Sequence, residues 1–147
     1  MRAREQAGAV EGLGGIVALE EALEKTRHVI VAVPSHGLRT VVRAASSFLP
    51  RGAVLVSATK GIEAESLQRM SEVIHDETGG AHPVVVLSGP SFAAEVARHL
   101  PTALVAASAS AAAVTSVQDA FHGPSFRLFG SDGVVRVENR SGHKDII

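Results

Sequence analysis

From Ile16 onward the chain alternates between apolar residues at helical spacing and short unbroken apolar runs. Ile16, Leu19 and Leu23 share one helical face with Glu20, Glu21 and Glu24 between them, and the chain then enters the buried-strand pattern His28–Val33. Pro34-Ser35-His36 breaks that strand and offers Ser35 as the N-cap of a helix whose apolar face is Leu38, Val41, Val42, Ala45 and Phe48. Pro50-Arg51-Gly52 ends the helix. A second strand, Ala53–Ser57, leads into Ala58-Thr59-Lys60-Gly61, after which Leu67, Met70, Val73 and Ile74 predict a helix closed by Gly79-Gly80.

The third strand, Val84–Leu87, runs into Ser88-Gly89-Pro90-Ser91 and a short helix reaching about Arg98, followed by a strand from Thr102 to Ala106. Ser110–Phe121 reads as helix, with Ala113, Val114, Val117 and Phe121 in phase. Phe126–Phe129 predicts a last strand, and Gly133–Val137 a short extended or bridging piece. This alternation is the sequence form of an α/β fold with a mostly parallel sheet. Residues 1–15 hold four Gly and little periodicity, which predicts a loose entry segment.

Composition narrows the picture. With five Phe and neither Trp nor Tyr, the core must be aliphatic. A net charge of −1 gives no electrostatic footprint for nucleic acid. No apolar stretch approaches the roughly 20 residues that cross a bilayer, so membrane insertion is not expected. The absence of cysteine fits a reducing compartment, with cytoplasm as the default, and the seven His are scattered without metal-ligand spacing, so no metal site is expected.

Three sharp turns follow three apolar strands: Val33-Pro-Ser-His36, Ala58-Thr-Lys-Gly61 and Ser88-Gly-Pro-Ser-Phe-Ala93. In an open α/β sheet, ligands bind outside the carboxyl ends of strands, so these turns are where a site is expected. Glycine at position 89 would allow close backbone approach to a phosphate or polyol, Ser91 would stand at a helix start whose dipole favours anions, and Lys60 would supply positive charge.

The segments VIVAVPSHGLR, VSATKGIEAESLQRMSEV, VVLSGPSFAAEVARHLPTALVAAS and FRLFGSDGVVRVE together resemble NAD(P)-dependent glycerol-3-phosphate dehydrogenase, in that family's order and with similar gaps. The resemblance implies a Rossmann-like, doubly wound, mostly parallel sheet that lacks the family's first strand-turn-helix and its helical C-terminal domain. On it, residues 1–15 are a loose N-terminal segment, 16–137 a partial dinucleotide-binding domain and 138–147 the start of the helical substrate domain. It implies hydride exchange between NAD or NADP and the glycerol 3-phosphate/dihydroxyacetone phosphate pair, feeding phospholipid synthesis. Residue by residue, it places Ser35, Lys60 and Ala93 at the cofactor, and Lys60, Gly89, Ser91 and Lys144 at the substrate. Lys144 would be the catalytic acid or base at the C2 oxygen, its pKa lowered by burial and by a second cation such as Lys60.

The chain departs from the family pattern at both ends. No apolar strand precedes Gly8, Gly12, Gly14 and Gly15, so these cannot form the pyrophosphate-cradling turn, and the residue that would choose between NAD and NADP is not identified. Asn139–His143 replaces a small apolar run, and Asp145 replaces an Asn, setting a carboxylate toward a phosphorylated substrate. Two readings therefore stay open: a dehydrogenase, or a non-catalytic module retaining part of the nucleotide-binding fold. A dehydrogenase of the 6-phosphogluconate type fits the SGPSFA segment less well. An uncovered strand edge predicts self-association into homo-oligomers.

Overall fold

Val-rich runs become strands, and amphipathic runs cover the sheet that those strands build. The computed structural model describes residues 18–89 and 97–142. The strands β1 (His28–Val31), β2 (Val54–Ser57), β3 (Val84–Ser88), β4 (Thr102–Ala107) and β5 (Phe126–Ser131) lie in one sheet in chain order. Among the described residues the helices are α1 (Leu19–Leu23), α2 (Ser35–Ser46), α3 (Met70–Glu77), α4 (Ala111–Ala120) and α5 (Val134–Gly142).

β1, β2 and β3 pair in parallel, with Val31 opposite Ser57 and Ser57 opposite Val86. β4 then runs antiparallel to β3, placing Ala106 opposite Leu87, and β5 follows parallel to β4. The sheet is thus mostly parallel with one reversal. That reversal decides which face each helix covers. Crossovers between parallel strands are right-handed, so α2 and α3, joining strands that advance in one direction, fall on one face. α4 joins strands that advance the same way but point oppositely, and the same handedness puts it on the other face.

The two cores confirm this division. On one face Leu38 and Val42 of α2 and Met70, Val73 and Ile74 of α3 bury against Val31 and Leu55. On the other, Ala113, Val114 and Val117 of α4 pack on Val54, Val56, Val85 and Ala106. Val54, Leu55 and Val56 alternate between the cores as a pleated strand requires. All four residues of β2 are buried, which explains its unbroken apolar pattern. His28 extends the second core: its Nε2 lies 2.8 Å from Ser116 Oγ, and its ring meets Phe121 edge-on at 6.2 Å.

Three sequence expectations are corrected. Ser35 is the first helical residue of α2 rather than its N-cap, the cap position being Pro34 with no side-chain hydrogen bond. α3 starts at Met70, not before Leu67: Leu67 has a φ of 59° and is 71% exposed, because the chain from Ile62 to Arg69 folds back on itself through an antiparallel bridge. Gly133–Val137 is not extended but enters α5, which passes unbroken through Val137 and Glu138. Its valines suit a strand locally, and docking of the helix on β3 and α3 overrides that preference. The expected helix from Ser91 to Arg98 lies largely outside the described residues.

Candidate functional site

Parallel pairing of β1, β2 and β3 brings the carboxyl ends of three neighbouring strands to one edge of the sheet; β1 and β2 continue into the turns at Ser35 and Lys60, and β3 ends beside Gly89. The Ser35 and Lys60 turns and Gly89 therefore stand side by side. The first two are stitched together. The Thr59 hydroxyl donates to Val33 O at 2.9 Å and accepts from Val33 N–H at 3.3 Å. Gly61 adopts a φ of +99°, where a side chain would be strained, and a Cβ built there would lie 3.7 Å from Ser35 Oγ. Lys60 is exposed at the crest of this turn.

Gly89 has a packing reason to be glycine. A Cβ at this position would stand 2.6 Å from Leu104 Cδ2 and 2.9 Å from the Ala103 carbonyl oxygen. The glycine lets the end of β3 pass against β4, whatever it does for a ligand. Ser91, Ala93 and Lys144 lie outside the described residues. Of the expected site residues, the structure thus describes Ser35, Lys60 and Gly89, and brings them to one edge.

Two groups of residues that periodicity did not single out support this edge. The segment from Gly61 to Arg69 is held by ions rather than by apolar burial, since Ile62 and Leu67 are 51% and 71% exposed. Arg39 of α2 donates from Nε and NH2 to the two oxygens of Glu63 at 2.7 and 2.8 Å, from NH1 to Glu77 at 2.7 Å and from NH2 to Gln68 at 2.7 Å. Arg43 adds two bonds to Glu77, both 2.9 Å, and the Ser66 hydroxyl donates to Glu63. The signal available in sequence was the i, i+4 pair Arg39/Arg43 facing acidic residues downstream, but long-range ion pairing has no periodicity to betray it.

These contacts fix the charge states. Glu63 is pulled from its ordinary 4.5 to about 2, first by the hydrogen bond from Arg39 and then by that from Ser66. Glu77 is likewise lowered to about 2, by Arg43 and Arg39. Both groups have depressed folded-state values, so their stabilisation is present above the unfolded pKa and is lost as pH falls from about 4.5 through about 2. Unfolding by urea at pH 6, 4 and 2 should show this loss, and a Glu63→Gln/Glu77→Gln variant should be less stable at pH 6 yet show a flatter decline. An equally steep decline in that variant would assign the acid sensitivity to other carboxylates.

The second group joins α5 to α3. The N-cap residue of α3, Arg69, makes no side-chain capping bond to the first turn, although Glu72 takes the Arg69 N–H at 2.9 Å. Glu138, whose side chain is 8% exposed, supplies an acceptor from outside the helix: it accepts from Ser71 N–H at 2.9 Å, from Ser71 Oγ at 2.7 Å and from Arg69 NH1 at 3.3 Å. α5 begins beside the carboxyl end of β5 and at mid-length reaches the amino end of α3. It therefore runs toward the edge that carries the Lys60 turn.

A groove of about 930 Å3 between α3 and α5, lined by His75, His82, Ser110 and Arg136, includes none of Ser35, Lys60 or Gly89. It reaches the amino end of β3 at Pro83 and Val84. Volume and chemistry thus disagree on location; strand polarity and the exposed lysine favour the carboxyl ends of β1 to β3.

A mostly parallel sheet with helices on both faces gives the chain a Rossmann-type α/β fold. The profile described as NAD-dependent glycerol-3-phosphate dehydrogenase N-terminus matches residues 11–114. A glycerol-3-phosphate dehydrogenase [NAD(P)+] of Pelotomaculum thermopropionicum is 48% identical over 131 residues, and one of Moorella thermoacetica 41% identical over 129. Each alignment covers 88% of this chain and 38% of the relative. The crystal structure of the Coxiella burnetii glycerol-3-phosphate dehydrogenase superposes with a TM-score of 0.78 at 31% identity, covering 84% of this chain and 38% of that one. The chain belongs to the NAD-dependent glycerol-3-phosphate dehydrogenase family. It spans about 38% of the length of the curated relatives it matches.

Proposed function

We propose that this chain provides the cofactor- and substrate-facing strand ends of a dehydrogenase that interconverts glycerol 3-phosphate and dihydroxyacetone phosphate with NAD or NADP, in the service of phospholipid synthesis in the cytoplasm. The observation that carries the reading is the adjacency of the Ser35 and Lys60 turns and Gly89 at one sheet edge in a chain of this family. The residues fit such a ligand pair. Lys60 offers an exposed cation for phosphate oxygens, and Ser35 offers a hydroxyl at the amino end of a 12-residue helix, where an anion is favoured.

When bound, the nicotinamide supplies or accepts the hydride at C2 of the substrate. The protein's part is to orient and to move a proton. Ser35, Lys60 and Ala93 contact the dinucleotide; Lys60, Gly89 and Ser91 hold the substrate; Lys144 gives or takes the proton at the C2 oxygen. The direction of α5 supports that last role, because its carboxyl end heads toward the same edge. Residues 16–137 act as the dinucleotide-binding unit, and 138–147 open the substrate domain.

A second reading, a binding module without turnover, rests on the departures from the family pattern at Asn139–His143 and Asp145. Titration with NADH or NADPH, followed by assay of dihydroxyacetone phosphate reduction, separates the two. The protein has neither Trp nor Tyr, so binding is read from directly excited reduced nicotinamide rather than by energy transfer from the protein. Lys60→Ala should weaken nucleotide binding roughly tenfold to a hundredfold, because a hydrogen bond to a charged group contributes about 1.5–3 kcal/mol. Unchanged affinity would remove Lys60 from the site. Binding without reduction would favour the module. Self-association is supported by β1, which among the described residues forms a sheet edge and carries Ile30 at 51% exposure; a sharp monomer in sedimentation would oppose it.

A further inference from the structure

Thr59 fixes the near side of the turn proposed to present Lys60, but the far side, from Gly61 to Arg69, has little reason to hold its shape by itself. Gly61 at φ +99° and Leu67 at φ 59° sit in the left-handed region, and its apolar residues Ile62 and Leu67 face solvent. The antiparallel bridge between Ile62 and Arg69 closes the segment on itself but does not anchor it to the sheet. The anchor is α2. Ser35 and Arg39 lie one helical turn apart on the same face. Ser35 abuts Gly61, and Arg39 grips Glu63 through two parallel hydrogen bonds, so the helix touches the segment on both sides of Ile62. Arg39 also reaches Gln68 on the returning limb and Glu77 on α3. One guanidinium thereby ties together α2, both limbs of the segment and the helix that follows.

We propose that Arg39 is a positioning residue that, through Glu63, sets where the Lys60 ammonium stands relative to the Ser35 turn, and so governs dinucleotide affinity without touching the ligand. The assignment rests on the reading of Lys60 given above. The chemistry favours arginine here over lysine, because only a planar fork can satisfy Glu63 from two nitrogens while a third reaches Glu77. Arg43 supplies an internal control. It shares Glu77 with Arg39 and makes two bonds to it, yet it does not reach Glu63 or Gln68. Loss of Arg43 removes an ion pair from the same cluster and leaves the Lys60 segment tied.

The test uses Arg39→Gln, Glu63→Gln, Arg39→Lys and Arg43→Gln in the full 147-residue chain, read by amide hydrogen exchange without ligand and by NADH fluorescence titration. Arg39→Gln and Glu63→Gln should each speed exchange across residues 61–69 while leaving β2 and β3 protected. Both should weaken NADH binding roughly tenfold or more, the scale on which displacement of a contact by about 1 Å acts. The double variant should be no worse than either single one. Arg39→Lys should recover only part of the affinity, and Arg43→Gln should stay within about twofold of wild type, as expected for an exposed pair.

If Arg39→Gln does not fold, Glu63→Gln carries the same two measurements. Equal losses in Arg43→Gln and Arg39→Gln would reduce Arg39 to general stability and overturn the proposal, as would unchanged exchange over 61–69 in Arg39→Gln. Loss of protection with unaltered NADH affinity would overturn it too. Failure of the wild-type chain to bind NADH, or full binding by Lys60→Ala, would instead strike the reading of Lys60 itself, and the exchange data would still report the clamp.

Discussion

Replacement of Glu138 by alanine is expected to lower the unfolding free energy by about 2–4 kcal/mol, with a fall in melting temperature of roughly 5–15 °C. The carboxylate is almost fully buried and accepts three hydrogen bonds, two from Ser71 and one from Arg69. Alanine would leave the Ser71 N–H without its cap at the first turn of α3, an effect of about 0.5–2 kcal/mol in itself. It would also strand the partly buried Arg69 beside Glu72 alone and cut the polar tie that holds α5 to α3. Glu138→Gln keeps an acceptor for the amide and should lose less than half as much. Chemical denaturation of the three proteins decides the matter: equal stability of Glu138→Ala and wild type would show that α5 is held by its contacts with β3 rather than by this cap.

Gly89→Ala should cost about 1–3 kcal/mol, the range for forcing extra volume into a packed site. The new methyl carbon would meet the Leu104 side chain at 2.6 Å and the Ala103 carbonyl oxygen at 2.9 Å. Leucine can turn aside, but the carbonyl belongs to a strand paired on both sides and cannot. The end of β3 would have to lift from β4, displacing the turn that leads into the proposed substrate-facing segment, so ligand affinity should fall together with stability. Gly37→Ala provides the contrast. Position 37 lies inside α2, and a methyl added there would meet nothing within 4 Å, so alanine should stabilise by roughly 0.5–1 kcal/mol through helix propensity. Should Gly89→Ala melt with the wild-type protein, backbone approach at this point is looser than the contact distances state, and the glycine would be better explained by a ligand.

Much of the candidate site could be read from the sequence because it is built from turns directly after buried strands. Pro34-Ser35, Thr59-Lys60-Gly61 and Ser88-Gly89 each interrupt an apolar run, and local chemistry alone marks them. What surrounds them is different in kind. Thr59 is an ordinary turn residue until its hydroxyl is seen bound to both backbone groups of Val33, just past the end of β1. Arg39 looks like a solvated helix residue, and Glu138 like one charge among several in a short terminal stretch. Their partners lie 24 and 67 residues away in sequence, beyond any window over which periodicity operates.

Periodicity and turn chemistry by themselves determined the class of fold, the positions of all five strands to within a few residues, and the aliphatic faces of α2 and α4, since burial of a repeating apolar stripe is a local property of the chain. They could not determine the reversal between β3 and β4, the late start of α3 or the helical state of 134–142. Strand direction depends on where a connection returns, a left-handed Leu67 depends on the bridge that closes around it, and the valines of α5 follow their docking surface. Those features rest on contacts between distant parts of the chain, which acquire definite energies only once the sheet has assembled and brought the parts together.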